Sequence, residues 1–216
     1  MQIKINTKIF IFLILFYFTN QIEIYCMVML FAIIHELAHV LAGILLGLKP
    51  KIFKIMPFGF SICFERNKKN VYIFDKKIFY LQKATIAFAG PMINILIAIF
   101  FTIFNIKILN IHTETIIYSN ILIAIFNLLP IYPLDGGRIL KSLLQIFNTN
   151  KKAIIIINKI SNITIVVLTV LSSILVLYYK NIAIVFIIAY LWILVIIENR
   201  KFDLKMKAYK VIEISR

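Results

Sequence analysis

Apolar runs alternate with short polar gaps along the whole chain. A membrane-spanning helix needs about 20 mainly apolar residues. On that measure the pattern predicts six spans, at roughly 6–20, 24–47, 84–106, 115–133, 155–178 and 181–197. The gap at 48–83 is the longest. Inside it, GFSICFE (59–65), a polar turn RNKKN, and VYIFD (71–75) read as two short β-runs folded into a hairpin. Pro57 and Gly59 stop any helix ahead of it. The expected fold is an all-α polytopic membrane protein of about six transmembrane helices, with a small cytoplasmic β-hairpin between helices 2 and 3. With no internal repeat and no linker, residues 1–197 read as one membrane domain with a core at about 24–140, and 198–216 as a short basic tail.

Composition agrees with the pattern. The chain has 216 residues and is 62% hydrophobic, against about 45–50% for soluble domains. Its net charge of +15 would suit a nucleic-acid binder, but the distribution argues otherwise. Lysine and arginine crowd into 48–83, 134–153 and the tail from 198, whereas the gaps 21–23, 107–114 and 179–180 carry only Lys107 and Lys180. That alternation is the positive-inside signal. It sets both termini in the cytoplasm, agrees with an even span count, and leaves no role for nucleic acid. The N-terminus resembles a signal peptide without an A-x-A-like cleavage site, so an uncleaved first span is expected. Cys26 and Cys63 are the only cysteines, no CxxC occurs, and the topology puts them on opposite sides of the membrane. The richness in Ile, Lys and Asn resembles a low-GC bacterial genome, which makes a bacterial cell membrane the expected location.

One apolar run carries residues that do not belong in lipid. FAIIHELAHVLAG (31–43) places His35, Glu36 and His39 within the second span. A carboxylate at the bilayer centre costs about 2.5–3.5 kcal/mol even on the lenient insertion scale, so such a residue usually has a partner or a task. Four residues on a helix bring His35 and His39 to one face, about 6 Å apart along the axis. Two imidazoles so spaced suit one Zn²⁺, with Glu36 beside the first as a general base: the HExxH arrangement. Hydrogen bonding within the helix bundle is the structural alternative for a polar trio.

Catalytic zinc takes three protein ligands, and few residues compete for the third place. Of the three aspartates, Asp75 lies in the basic loop and Asp203 in the tail, while Asp135 follows the fourth span in NLLPIYPLDGGR (127–138). His112 is in an external loop, Glu65 and Glu198 lie at the ends of their elements, and Cys26 falls on the helix face opposite His35. Asp135 is the candidate. Pro130 and Pro133 forbid a regular helix there, and Gly136 and Gly137 free the backbone just beyond it. Irregular backbone at membrane depth lines a cavity or is buried in protein. AGPMIN (89–94) is the third feature: Gly90-Pro91 reads as the opening of the third span, and Asn94 within it can serve packing or hold an extended substrate.

HELAH, AGPMIN and NLLPIYPLDGG, in this order on successive spans, resemble the site-2 protease family of intramembrane zinc metalloproteases. The compact layout is similar to its sporulation branch, which processes a pro-sigma factor. The resemblance covers roughly 30–140. It implies one Zn²⁺ per chain on His35, His39 and Asp135, Glu36 as the catalytic glutamate, and substrate binding by Asn127, joining Asn94. It also implies a membrane-associated protein substrate, a pro-sigma factor in that branch, and membrane inhibitory partners. The chain reads Pro133-Leu134-Asp135-Gly136 where the family often has Asn-Pro-Asp-Gly, keeping the aspartate and glycine. About 19 residues follow the last span, so neither a nucleotide-sensing CBS module nor a PDZ domain is expected. The expected reaction is peptide-bond hydrolysis at the cytoplasmic side of the bilayer. A divalent-metal transporter is the rival from another class, but transport needs ligands through both leaflets, and the outer halves of these spans offer almost none.

Overall fold

The computed structural model describes residues 2–5, 22–56, 59–65, 76–106, 112–180 and 183–214. The expected first span, the turn 66–70 and the β-run 71–75 lie outside the described residues. The chain divides into two compact units, Met1–Asn127 and Leu128–Arg216.

The first unit contains helices α1 (Ile22–Leu45), α2 (Lys76–Phe104) and α3 (Thr113–Leu128), and strands β1 (Gln2–Ile5), β2 (Lys49–Met56) and β3 (Gly59–Glu65). On α1 the buried positions are Met27, Phe31, His35, His39 and Gly43, one every four residues, so the histidines continue a single packed stripe. Met27 and Phe31 meet Ile116 of α3 to form its apolar core. On α2 the buried stripe beyond Tyr80 is small: Ala84, Ala87, Gly90, Pro91, Asn94 and Ala98. Small residues let helix backbones approach closely in an apolar medium. The opposite face of α2 exposes Phe88, Leu96, Ile99, Phe100 and Ile103.

Gly90-Pro91 does not open the third span. It lies inside α2, which begins at Lys76, well before the expected start at 84. Pro91 has no N–H to donate to the turn before it, and tertiary packing carries the helix through.

The second run of the expected hairpin, 71–75, lies outside the described residues. β3 forms at 59–65 as expected and pairs antiparallel with β2, from Lys49↔Glu65 to Met56↔Gly59, and β1 joins β2 in parallel. Sheet order is β1-β2-β3, so among the described residues β3 is an edge. The sequence hid β2 because the register shifts between Pro50 and Ile52. A bulge changes the parity of a strand, and the lysines move from odd positions (Lys49, Lys51) to an even one (Lys54) across it.

The second unit starts in an irregular segment and continues as α4 (Asp135–Phe147), α5 (Asn150–Tyr179) and α6 (Ala183–Ile214). The expected fourth span, 115–133, stops early, because α3 ends at Leu128 ahead of Pro130 and Pro133. Thr149 caps α5 through its hydroxyl, which accepts from the Lys152 N–H. Helices α5 and α6 are tied by hydrogen bonds from Trp192 Nε1 to Thr169 Oγ1 (2.9 Å) and from Asn199 Nδ2 to Asn162 Oδ1 (3.0 Å), and by an ion pair of Lys151 with Glu213. The residues from 198 onward continue α6 as helix to Ile214.

Among the described residues, three helical stretches are long and apolar enough to cross a membrane: Cys26–Leu45, Lys77–Phe104 and Asn150–Tyr178. Helix α3 is apolar but shorter.

Candidate metal centre

His35 and His39 are 3% and 4% exposed, so each ring needs its polar atoms satisfied inside the protein. His35 Nδ1 lies 2.7 Å from Asn94 Oδ1 on α2, and His39 Nδ1 lies 2.6 Å from the Ile86 carbonyl oxygen. An amide oxygen and a carbonyl oxygen only accept, so both Nδ1 atoms carry the proton. The Nε2 atoms are thereby left as electron-pair donors, the state a metal ligand requires. The two rings stand edge to face, with centroids 4.8 Å apart.

Gly90 backs both Nε2 atoms. A Cβ built there would stand 2.5 Å from Nε2 of His35 and 2.5 Å from Nε2 of His39. Glycine is required because any side chain would occupy the space where these nitrogens lie.

Glu36 lies on α1 between the two histidines in sequence and is half-buried. Asn94 is fully buried, and both ends of its amide are used: Oδ1 receives His35, and Nδ2 donates to Asn120 Oδ1 at 2.9 Å. Its side chain is engaged within the protein, where the sequence reading had offered it to a substrate or to packing. Asn127, half-buried, donates from Nδ2 to the Ile123 carbonyl at 3.0 Å.

Asp135 is the first residue of α4 and is 5% exposed. A helix N-terminus favours a carboxylate, and Arg138 Nη1 lies 3.5 Å from its Oδ1. The preceding segment is held by bonds from Leu134 N to Ile131 O (2.8 Å) and from Tyr132 N to Ser161 Oγ (3.0 Å), with Ile131 fully buried and a cis peptide at Tyr132–Pro133. A Cβ on Gly136 would fall 2.1 Å from the Leu128 carbonyl oxygen. The double glycine thus permits a close backbone approach at the start of a helix, where the sequence had suggested only a loop.

Three buried side chains offer metal-ligating atoms: His35 and His39 in the first unit and Asp135 in the second. Two neutral imidazoles and one carboxylate fit a single zinc ion. Sequence reasoning did not find Asn120. It is fully buried on α3, and the only signal was a second asparagine within an apolar run.

A model of peptidase family M50 matches residues 105–171. A Synechocystis protein provisionally named a zinc metalloprotease is 30% identical over 132 residues, 58% of this chain and 32% of its own length. A zinc metalloprotease of Methanocaldococcus jannaschii is 27% identical over 118 residues, 52% of this chain and 32% of its own. Stage IV sporulation protein FB of Bacillus subtilis is 25% identical over 142 residues, 65% of this chain and 46% of its own. The matches span about a third of the first two relatives' length. In structure, the chain resembles the site-2 protease from Methanocaldococcus jannaschii with a TM-score of 0.65 at 20% identity, covering 89% of this chain and 88% of that one. The chain carries a match to peptidase family M50 over residues 105–171 and has the fold of that site-2 protease.

Proposed function

We propose that this chain is an intramembrane zinc metalloprotease. His35, His39 and Asp135 hold one zinc ion, and Glu36 is the catalytic base. The observation that carries the reading is the buried histidine pair, both rings fixed in the ligating tautomer by their Nδ1 partners. When bound, zinc polarises the scissile carbonyl and makes water a nucleophile near neutral pH. Glu36 takes the proton from the attacking water and passes it to the departing amine, general acid–base work that contributes about 10²–10⁴-fold. Gly90 and the Nδ1 partners keep the two imidazoles in place throughout.

The substrate is a membrane-associated protein cleaved at the cytoplasmic side of the bilayer, with both termini of this chain on that side, as the loop charges suggest. A pro-sigma factor in sporulation is the finer reading. It is supported by the likeness to stage IV sporulation protein FB, and membrane inhibitory partners belong to the same reading. Asn127 contacts substrate through its half-buried side chain. A peptide bond inside a helix is shielded, so the substrate must be extended, and the edge strand β3 offers a template for strand addition. Ile62→Pro, which removes a ladder donor, should then lower cleavage without loss of zinc, and unchanged cleavage would remove β3 from the mechanism.

The test is zinc per protein in detergent, alongside cleavage of a reconstituted membrane-tethered pro-sigma substrate. Wild type and Glu36→Gln should each hold one zinc, with only wild type cleaving. His39→Ala and Asp135→Ala should lose zinc and activity together. Retention of zinc by Asp135→Ala would overturn the ligand set.

A further inference from the structure

Three hydrogen bonds away from His35, the protein holds a backbone carbonyl that can only accept: the Ile116 oxygen on α3 receives Asn120 Nδ2 at 2.9 Å. That contact fixes which way the Asn120 amide points, because turning it over would set two acceptors against each other. Asn120 Oδ1 therefore faces Asn94 and accepts from its Nδ2 at 2.9 Å. Asn94 Oδ1 must then face His35, and it can only accept, at 2.7 Å, from a protonated Nδ1. Asn94 and Asn120 are both 0% exposed, so no solvent competes at either link.

We propose that Asn120 is a positioning residue that sets the His35 tautomer through Asn94, keeping Nε2 deprotonated for the metal. The chain runs from the Ile116 carbonyl to Asn120, to Asn94, to His35, and its polarity is dictated at its far end. Asn120 touches neither metal nor substrate. Without it, the Asn94 amide is free to turn and present its NH₂ to Nδ1, which moves the ring proton to Nε2 and blocks ligation. This inference rests on the zinc reading above and extends it to a third helix.

The test begins with the wild-type chain stripped of metal and labelled with ¹⁵N-histidine at alkaline pH. There are three histidines in all, so single substitutions at His39 and His112 assign His35. The expected spectrum shows His35 protonated at Nδ1. Asn120→Leu, close in volume, should shift population toward Nε2–H and weaken zinc binding about 10-fold, in line with the loss of an outer partner of a metal ligand. Asn120→Ser is the gentler variant, since its hydroxyl can bond the Ile116 carbonyl but is too short to reach Asn94. It should weaken zinc similarly. Because the two asparagines act in series, Asn94→Leu/Asn120→Leu should bind zinc no worse than Asn94→Leu alone.

Protonation of wild-type His35 at Nε2 would overturn the proposal. So would wild-type zinc affinity in both Asn120 variants, or additive losses in the double variant. If neither Asn120 variant folds, the wild-type ring spectrum decides by itself. A wild-type protein that takes no zinc would sink the protease reading, while the same spectrum still decides the relay.

Discussion

Gly90→Ala adds one methyl group where α2 lies against the histidine pair. The new Cβ would stand 2.5 Å from Nε2 of both His35 and His39. Non-bonded heavy atoms pack at about 3.5–4.0 Å, so each contact is short by about 1 Å. The rings cannot simply retreat, because hydrogen bonds of 2.7 and 2.6 Å tie their Nδ1 atoms to Asn94 and Ile86 of the same helix, a turn to either side of Gly90. Two opposing terms act on the fold. Alanine in a helix interior gains about 0.5–1 kcal/mol over glycine, and overpacking costs about 1–3 kcal/mol. The metal-free protein should lose no more than about 2.5 kcal/mol. Zinc responds differently. Ligand distances tolerate about 0.2 Å, so a displacement of about 1 Å at two ligands should weaken binding by more than the roughly 100-fold upper range seen for outer-partner changes. Chelator competition in detergent, read by elemental analysis, gives the affinity, and circular dichroism on the metal-free sample gives the melting point. Met92→Ala, on the exposed face of the same helix, is the control and should leave both unchanged. Wild-type zinc affinity in Gly90→Ala would refute the placement of Gly90 behind the two nitrogens.

Further outcomes follow from the same geometry. Gly136→Ala drives a methyl into the Leu128 carbonyl and should abolish zinc retention with little loss of helix by circular dichroism. Ser161→Ala leaves the Tyr132 N–H without its acceptor, and should cost about 1–3 kcal/mol in chemical denaturation, with Ser161→Thr recovering most of it. Arg138→Ala removes a half-exposed cation from a carboxylate 3.5 Å away, and zinc affinity should change less than about 5-fold. Glu213→Gln breaks an exposed ion pair with Lys151, and the melting point should move by the equivalent of less than about 1 kcal/mol.

The histidine stripe was legible because four-residue spacing is a helix property, independent of what packs against it. Asp135 was legible by elimination, since so few residues in the chain can ligate a metal. Helix α4 was not. Gly136 and Gly137 look like breakers in sequence, yet Ile139, Leu140, Leu143, Leu144 and Phe147 hold helical spacing just beyond them. Their smallness serves contact with the preceding backbone, which only the folded chain reveals. The mid-helix position of Gly90-Pro91 was hidden for the same reason, because local preference reads a Gly-Pro pair as an end and packing overrode it. β2 was masked by its bulge. Asn120 was beyond reach, because an asparagine's value in an apolar helix depends on which neighbouring helix brings a partner.

The partners behind the two histidines are an amide and a peptide carbonyl, and neither carries charge. With neutral imidazoles, Asp135 and Glu36 bring −2 to the proposed centre, and half-exposed Arg138, 3.5 Å from Asp135, offsets part of it. A divalent cation offsets the rest. Stripped of its ion, the same site keeps an excess of negative charge, an arrangement that low-dielectric surroundings penalise. Charge balance therefore links occupancy to folding. The ion acts as the counter-charge of the bundle as well as its reagent, and chelation should lower the melting point of the wild-type chain while leaving Asp135→Asn almost indifferent to it.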